Sequence, residues 1–159
     1  MTQEQKVVAV FFDAANHHAS LNASNKKMNF LSFLKKLKKE FFVIDVRYYY
    51  CTSHLEKHAG VKELAKNLQK DGYTIVTKEA IHRPDGTTKG NMDVEIAVDA
   101  AELAGHCDYI ILFSGDGDFT YLIKHIQKKG TKVWVCSDES NLSKLLREQA
   151  DKVLNFSDI

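Results

Sequence analysis

The chain has 159 residues, 44% of them apolar and 27% charged, with a formal net charge of +1. That is enough for one domain around one core, and too ordinary for a disordered, collagen-like or disulfide-scaffold protein. No apolar stretch approaches the roughly 20 residues that span a bilayer, and a near-neutral chain can meet a polyanion only through local basic clusters.

Met1 to Gln5 is polar and the apolar run behind it, Val7 to Phe12, is short, so neither a secretory leader nor a membrane span is expected. Cys51, Cys107 and Cys136 are odd in number and lack ligand spacing, which suits a reducing, cytoplasmic setting. Val7 to Phe12 predicts a strand buried on both faces. Phe30, Leu34, Leu37 and Phe41 follow at helical spacing, with lysines between them. Val43 to Tyr50 predicts a second strand, in which alternation sends Tyr48 and Tyr50 to one face and Tyr49 to the other. Val61, Ala65 and Leu68 mark a helix that Gly72 ends, and Thr74 to Lys78 a third strand.

His82 to Gly90, with the single proline, predicts a loop. A helix carrying Met92, Ile96 and Leu103 ends near Gly105. A fourth strand follows over Tyr109 to Ser114, then a helix with Phe119, Leu122, Ile123 and Ile126. Lys132 to Cys136 gives a fifth strand, Leu142, Leu145 and Leu146 a last helix, and Val153 to Phe156 a sixth strand. Residues 1–159 therefore read as a single α/β domain, with a mainly parallel sheet of five or six strands covered by helices.

Ligands of open α/β sheets gather beyond the carboxyl ends of the strands. Asp13 and Asn16 follow strand one; Ser114-Gly115-Asp116-Gly117-Asp118-Phe119 follows strand four. Asp93 opens a helix on which positions 97, 100 and 104 are alanine, a face that lets the helix lie close to the sheet and aims its first residue at the strand ends. Glu95, Asp99 and Glu102 fall on another face, expected to be solvated. Carboxylates converging on one spot repel one another unless a cation joins them. Oxygen-only donors select Mg²⁺ or Mn²⁺, and such ions suit phosphodiester hydrolysis. Each acid also has a structural role open to it. Asp118 or Asp13 could cap a helix, Asp116 could stabilise a turn, and Asp93 could answer the helix dipole.

Asp13-x-x-Asn16, Lys89-Gly90-x-x-Asp93 and Ser114-Gly115-Asp116-Gly117-Asp118-Phe119, in that order, resemble the NYN domains of the LabA/DUF88 group, within the PIN-like nuclease superfamily. The resemblance runs from Val7 to the Ala150-Asp151 pair. It implies a Rossmann-like, PIN-type sheet and a Mg²⁺ or Mn²⁺ site formed by Asp13, Asp93, Asp116 and Asp118. It also implies RNA as substrate, cleaved by a metal-activated water, with Asn16 orienting a water or a carboxylate and Ser114 supporting the acidic loop. Ala14 departs from the pattern, which commonly has glycine there, so the turn after strand one is open to another shape. The adjacent His17-His18 pair has no counterpart in that pattern; surface positions at a helix start are the expectation, with approach of one of them to the scissile phosphate as the alternative.

Arg83 and Lys89 flank the loop before Asp93. Lys124, His125, Lys128 and Lys129 form one basic group; Lys26-Lys27 with Lys35, Lys36, Lys38 and Lys39 form another, which could equally be a solvated helix face. Of these, Arg83, Lys89 and Lys124, with Ser114, are candidate RNA contacts. No Gly-x-Gly-x-x-Gly follows Phe12, so no nucleotide cofactor is expected. Alanine at position 15 counts against an aspartyl phosphotransferase with Asp-x-Asp. The competing reading is a nucleic-acid-binding or scaffold module that keeps the fold without chemistry; self-association is left open.

Overall fold

A computed structural model describes residues 4–16, 29–52 and 59–156. His17, His18, Lys26 and Lys27 lie outside them. Six strands form one parallel sheet: β1 (Val7–Asp13), β2 (Phe42–Cys51), β3 (Thr74–Lys78), β6 (Tyr109–Phe113), β7 (Lys132–Ser137) and β8 (Lys152–Asn155). Their spatial order is β3-β2-β1-β6-β7-β8. The order reverses between β1 and β6, so the chain leaves these two neighbours in opposite directions and opens a crevice at their carboxyl ends.

Helices cover both faces: α1 (Phe30–Glu40) and α2 (Ala59–Lys70) on one, α3 (Asp93–Leu103), α4 (Thr120–Lys128) and α5 (Lys144–Gln149) on the other. Alternation along the strands divides the core accordingly. Ala9, Phe11, Tyr49, Ile110, Leu112 and Val133 face α3 and α4. Val8, Val10, Phe12, Val46, Tyr48 and Ile111 face α1 and α2. Phe12, the last apolar residue of β1, stacks against Tyr48 and Phe113 at centroid distances of 4.9 and 5.0 Å. This aromatic packing fixes the ends of three adjacent strands just beneath the crevice.

Local chemistry sets the boundaries. Asn29 caps α1 by accepting from the Ser32 amide at 3.0 Å. That helix stops at Glu40, and Phe41 packs edge-on against Tyr109 and Trp134 instead of extending the helical stripe. The expected loop over His82 to Gly90 contains a short antiparallel hairpin, β4 (Ile81–His82) with β5 (Thr88–Lys89). Leu142 precedes α5, which starts at Lys144. Cys51, Cys107 and Cys136 are free and buried. Among the described residues no helix is long and apolar enough to cross a membrane.

Candidate metal centre

β1 and β6 run in register with Phe12 opposite Phe113, which sets Asp13 beside Ser114. The Ser114 hydroxyl donates to Asp13 Oδ2 at 3.1 Å and accepts from the Asp116 amide at 3.2 Å. Asp13 Oδ1 accepts from the Asn16 amide at 3.3 Å. The Asn16 side-chain oxygen accepts from the Gly115 amide at 2.7 Å and from Asn141 Nδ2 at 3.2 Å. One polar network thus joins the ends of β1 and β6 and holds the acidic loop against the segment that follows β7. Residues 14–16 are helical and Ala14 is buried, so this turn takes a conformation open to alanine.

Two glycines are required by close approach. A Cβ at Gly115 would lie 2.2 Å from the Asn141 carbonyl oxygen, and one at Gly90 would lie 2.8 Å from Ala80 Cβ. The first lets residues 138–143 support the acidic loop, and the second lets the chain enter α3 against β2 and its neighbours.

Asp93, Asp116 and Asp118 offer carboxylate oxygens that all lie within 4.8 Å of one another. Asp116 caps the 3₁₀ turn Gly117–Phe119 by accepting from the Asp118 amide at 2.9 Å, so the cap is Asp116 and not Asp118. The carboxylates of Asp93 and Asp118 accept no hydrogen bond from the described residues. Asp118 is exposed, whereas Asp93, half-buried as the first residue of α3, has its pKa raised by burial and by the charges of Asp116 and Asp118, against a smaller opposing effect from Lys78.

Asp13 stands apart from this triad: it is 4% exposed and both of its oxygens are engaged. Burial pushes its pKa up to about 6, with Asp93 and Asp116 adding to the rise and the bonds from Asn16 and Ser114 opposing it. Negative charge is thus concentrated where few donors meet it, an arrangement that a divalent cation relieves. Carboxylate oxygens at this spacing fit a hard ion such as Mg²⁺ or Mn²⁺.

The expectation for Glu95 and Asp99 is corrected. Glu95 pairs with Lys78 at 2.8 Å, while Asp99 meets Arg47 at 3.0 Å and accepts from the Tyr49 hydroxyl at 2.7 Å. The solvent-facing side of α3 carries Val94 and Val98, 67% and 52% exposed. Arg83 and Lys89 are exposed on the hairpin before α3, and Lys124 is exposed one turn into α4. Lys38 and Lys39, and likewise Lys128, sit in the last turns of helices that run back from the carboxyl edge, with Lys129 capping the second of them. They therefore lie toward the opposite end of the sheet from the acids, and Lys38 sits over the Tyr73 ring at 4.6 Å.

Sequence reasoning did not single out Asn141 or Lys78, although both follow from the edge rule. Lys78 ends β3, and the polar Ser137-Asp138-Glu139-Ser140-Asn141 run ends β7 and continues beyond it.

Comparison with known proteins agrees with this architecture. The protein of unknown function VPA0982 from Vibrio parahaemolyticus RIMD 2210633 superposes with a TM-score of 0.83 and 28% identity, covering 98% of this chain and 96% of that one. "Low amplitude and bright protein LabA" from Synechococcus elongatus is 33% identical over 94 residues, which span 55% of this chain and 50% of that relative. Residues 7–157 match the NYN domain, from the first strand through the last and across every member of the acidic network. The chain belongs to the NYN domain family, a PIN-like nuclease family.

Proposed function

We propose that this chain is a metal-dependent ribonuclease that hydrolyses RNA phosphodiester bonds at the carboxyl edge of its sheet. The observation that carries the proposal is the triad of Asp93, Asp116 and Asp118, with ligand oxygens within 4.8 Å of one another at the point where strand order reverses. These residues would hold Mg²⁺ or Mn²⁺. Bound there, such an ion lowers the pKa of a water, polarises a phosphoryl oxygen and stabilises the leaving oxygen.

The chain's own residues do the rest. Asp13 contributes a fourth negative charge from beneath and, through Ser114, fixes the Asp116 amide. Asn16 holds Gly115 and so sets where the loop presents Asp116 and Asp118. Arg83 and Lys89 on the hairpin and Lys124 on α4 meet the phosphate backbone on either side of the cut.

A second reading, binding without turnover, draws on the thin basic surface beside the acids, since Lys38, Lys39, Lys128 and Lys129 lie toward the other end of the sheet. The test is cleavage of a labelled single-stranded RNA with Mn²⁺, with Mg²⁺ and with EDTA, comparing wild type and Asp118→Asn. Asp118 is the cleanest position because its exposed carboxylate caps nothing. Metal-dependent cutting should fall at least roughly 100-fold, more than the loss of an outer-shell partner gives. Binding of the strand with no cutting under any metal would favour the second reading.

A further inference from the structure

Beside the acidic triad lies a groove of about 420 Å³, within the roughly 300–1,000 Å³ of small-molecule sites. Its walls are α3 and α4, represented by Val94, Ala97, Val98, Tyr121, Leu122 and His125. Asp93 and Asp118 line its end, so the groove and the candidate metal centre share two residues. Tyr121 is 80% exposed on the first turn of α4, three positions after Asp118. Val94 and Val98 follow Asp93 on the facing helix and are also largely exposed. Large apolar and aromatic side chains left in water on two adjacent helices, opening onto a charged centre, are not explained by the core of this domain.

We infer that this groove is the subsite for a nucleobase next to the cleaved phosphate. The inference rests on the nuclease reading above and places one part of its substrate. An apolar lining rejects a phosphate but accepts the face of a base, and an exposed tyrosine ring is the platform on which bases stack whatever their identity. Continuity with the acids puts such a base beside the metal centre. A base paired in a duplex keeps its faces covered by neighbours and cannot enter. A second copy of this chain seated here would cover Asp93 and Asp118 and juxtapose their charges with its own surface, which charge complementarity disfavours.

The test is fluorescence anisotropy of a short labelled single-stranded RNA and of its duplex, on the Asp116→Asn background so that the strand stays intact, in Mn²⁺. Adding Tyr121→Ala should weaken single-strand binding roughly 5- to 100-fold, the range of one lost base–aromatic stack. Tyr121→Phe should restore it, and the duplex should bind weakly with or without the tyrosine. A 2-aminopurine next to the cut site should be quenched by the tyrosine-containing chain and not by the alanine variant. Tyr121→Ala should leave the melting temperature unchanged, because the ring is solvent-facing.

Equal binding by Tyr121→Ala, equal binding of the duplex, or no binding of any oligonucleotide overturns the inference. So does a change in sedimentation on Tyr121→Ala without a change in RNA affinity, which would make the groove a self-association face. Cutting assayed in parallel with Asp116 restored separates the two readings. Cutting that ignores Tyr121 removes the base subsite and leaves the nuclease. Tyrosine-dependent binding without cutting removes the nuclease and leaves the subsite.

Discussion

Replacing Asp13 by asparagine should stabilise the metal-free protein at neutral pH. Asp13 has its pKa displaced from 3.8 to about 6, chiefly by burial. At about 1.36 kcal/mol for each pH unit, the ionised form carries a penalty of about 3 kcal/mol at pH 7. Asparagine removes the charge and keeps an oxygen for the Asn16 amide, but it loses the acceptor for the Ser114 hydroxyl. That loss is worth about 1 kcal/mol, so the net gain is about 2 kcal/mol.

The pH dependence has a definite sign. The folded pKa lies above the unfolded one, so the folded state binds more protons between about pH 4 and 6. Wild-type stability relative to the variant should therefore fall as pH rises through that window and level off above it. Below pH 4 the order should reverse, because only the lost hydrogen bond remains. Urea denaturation in EDTA across pH 3.5 to 8 measures this difference. Saturating Mn²⁺ should narrow the gap at pH 7, since an ion held at 100 times its dissociation constant adds about 2.7 kcal/mol to wild type and less to the variant, which keeps the triad but lacks the neighbouring negative charge. A difference between the two proteins that does not change with pH would refute the argument.

Gly115→Ala forces a Cβ to within 2.2 Å of the Asn141 carbonyl oxygen, so it should destabilise by about 2 kcal/mol or more and lower Mn²⁺ affinity, read by urea denaturation and calorimetry together. Asn141→Ala removes a donor to Asn16 and should cost about 1 kcal/mol, with a 10- to 100-fold loss in metal affinity typical of an outer-shell partner. Lys78→Ala removes a cation that holds down the Asp93 pKa, so the acidic limb of the cleavage pH profile should move to higher pH, as a rate profile would show.

The sheet was legible in the sequence because its strands are continuous apolar runs and its helices carry a clear 3.6-residue stripe. The acids at the carboxyl edge followed from the strand-end rule alone, and Asp93 from the alanines behind it. What escaped depended on relations that periodicity does not encode. Glu95 and Asp99 share a helix face that would be solvated on an isolated helix, but Lys78 and Arg47 reach up from β3 and β2 to meet them. Sequence spacing allowed Asp118 as a cap, whereas the extended backbone of Asp116 gives that role to the earlier residue. Spacing alone does not place the basic groups, whereas helices between parallel strands must end at the edge opposite the acids, which carries Lys38, Lys39 and Lys128 away from them. The apolar groove was hidden because Val94, Val98 and Tyr121 look like core residues until the helices are placed.

The central claim is that the Asp93, Asp116 and Asp118 triad is a cation site, and a calorimetric titration of Mn²⁺ into the metal-free protein tests it most directly. Wild type should give a saturable isotherm, and Asp93→Asn and Asp118→Asn should each bind at least roughly tenfold more weakly while melting no lower than wild type does in EDTA. Indistinguishable isotherms for wild type and both variants, or no heat of binding in any of them, would contradict it.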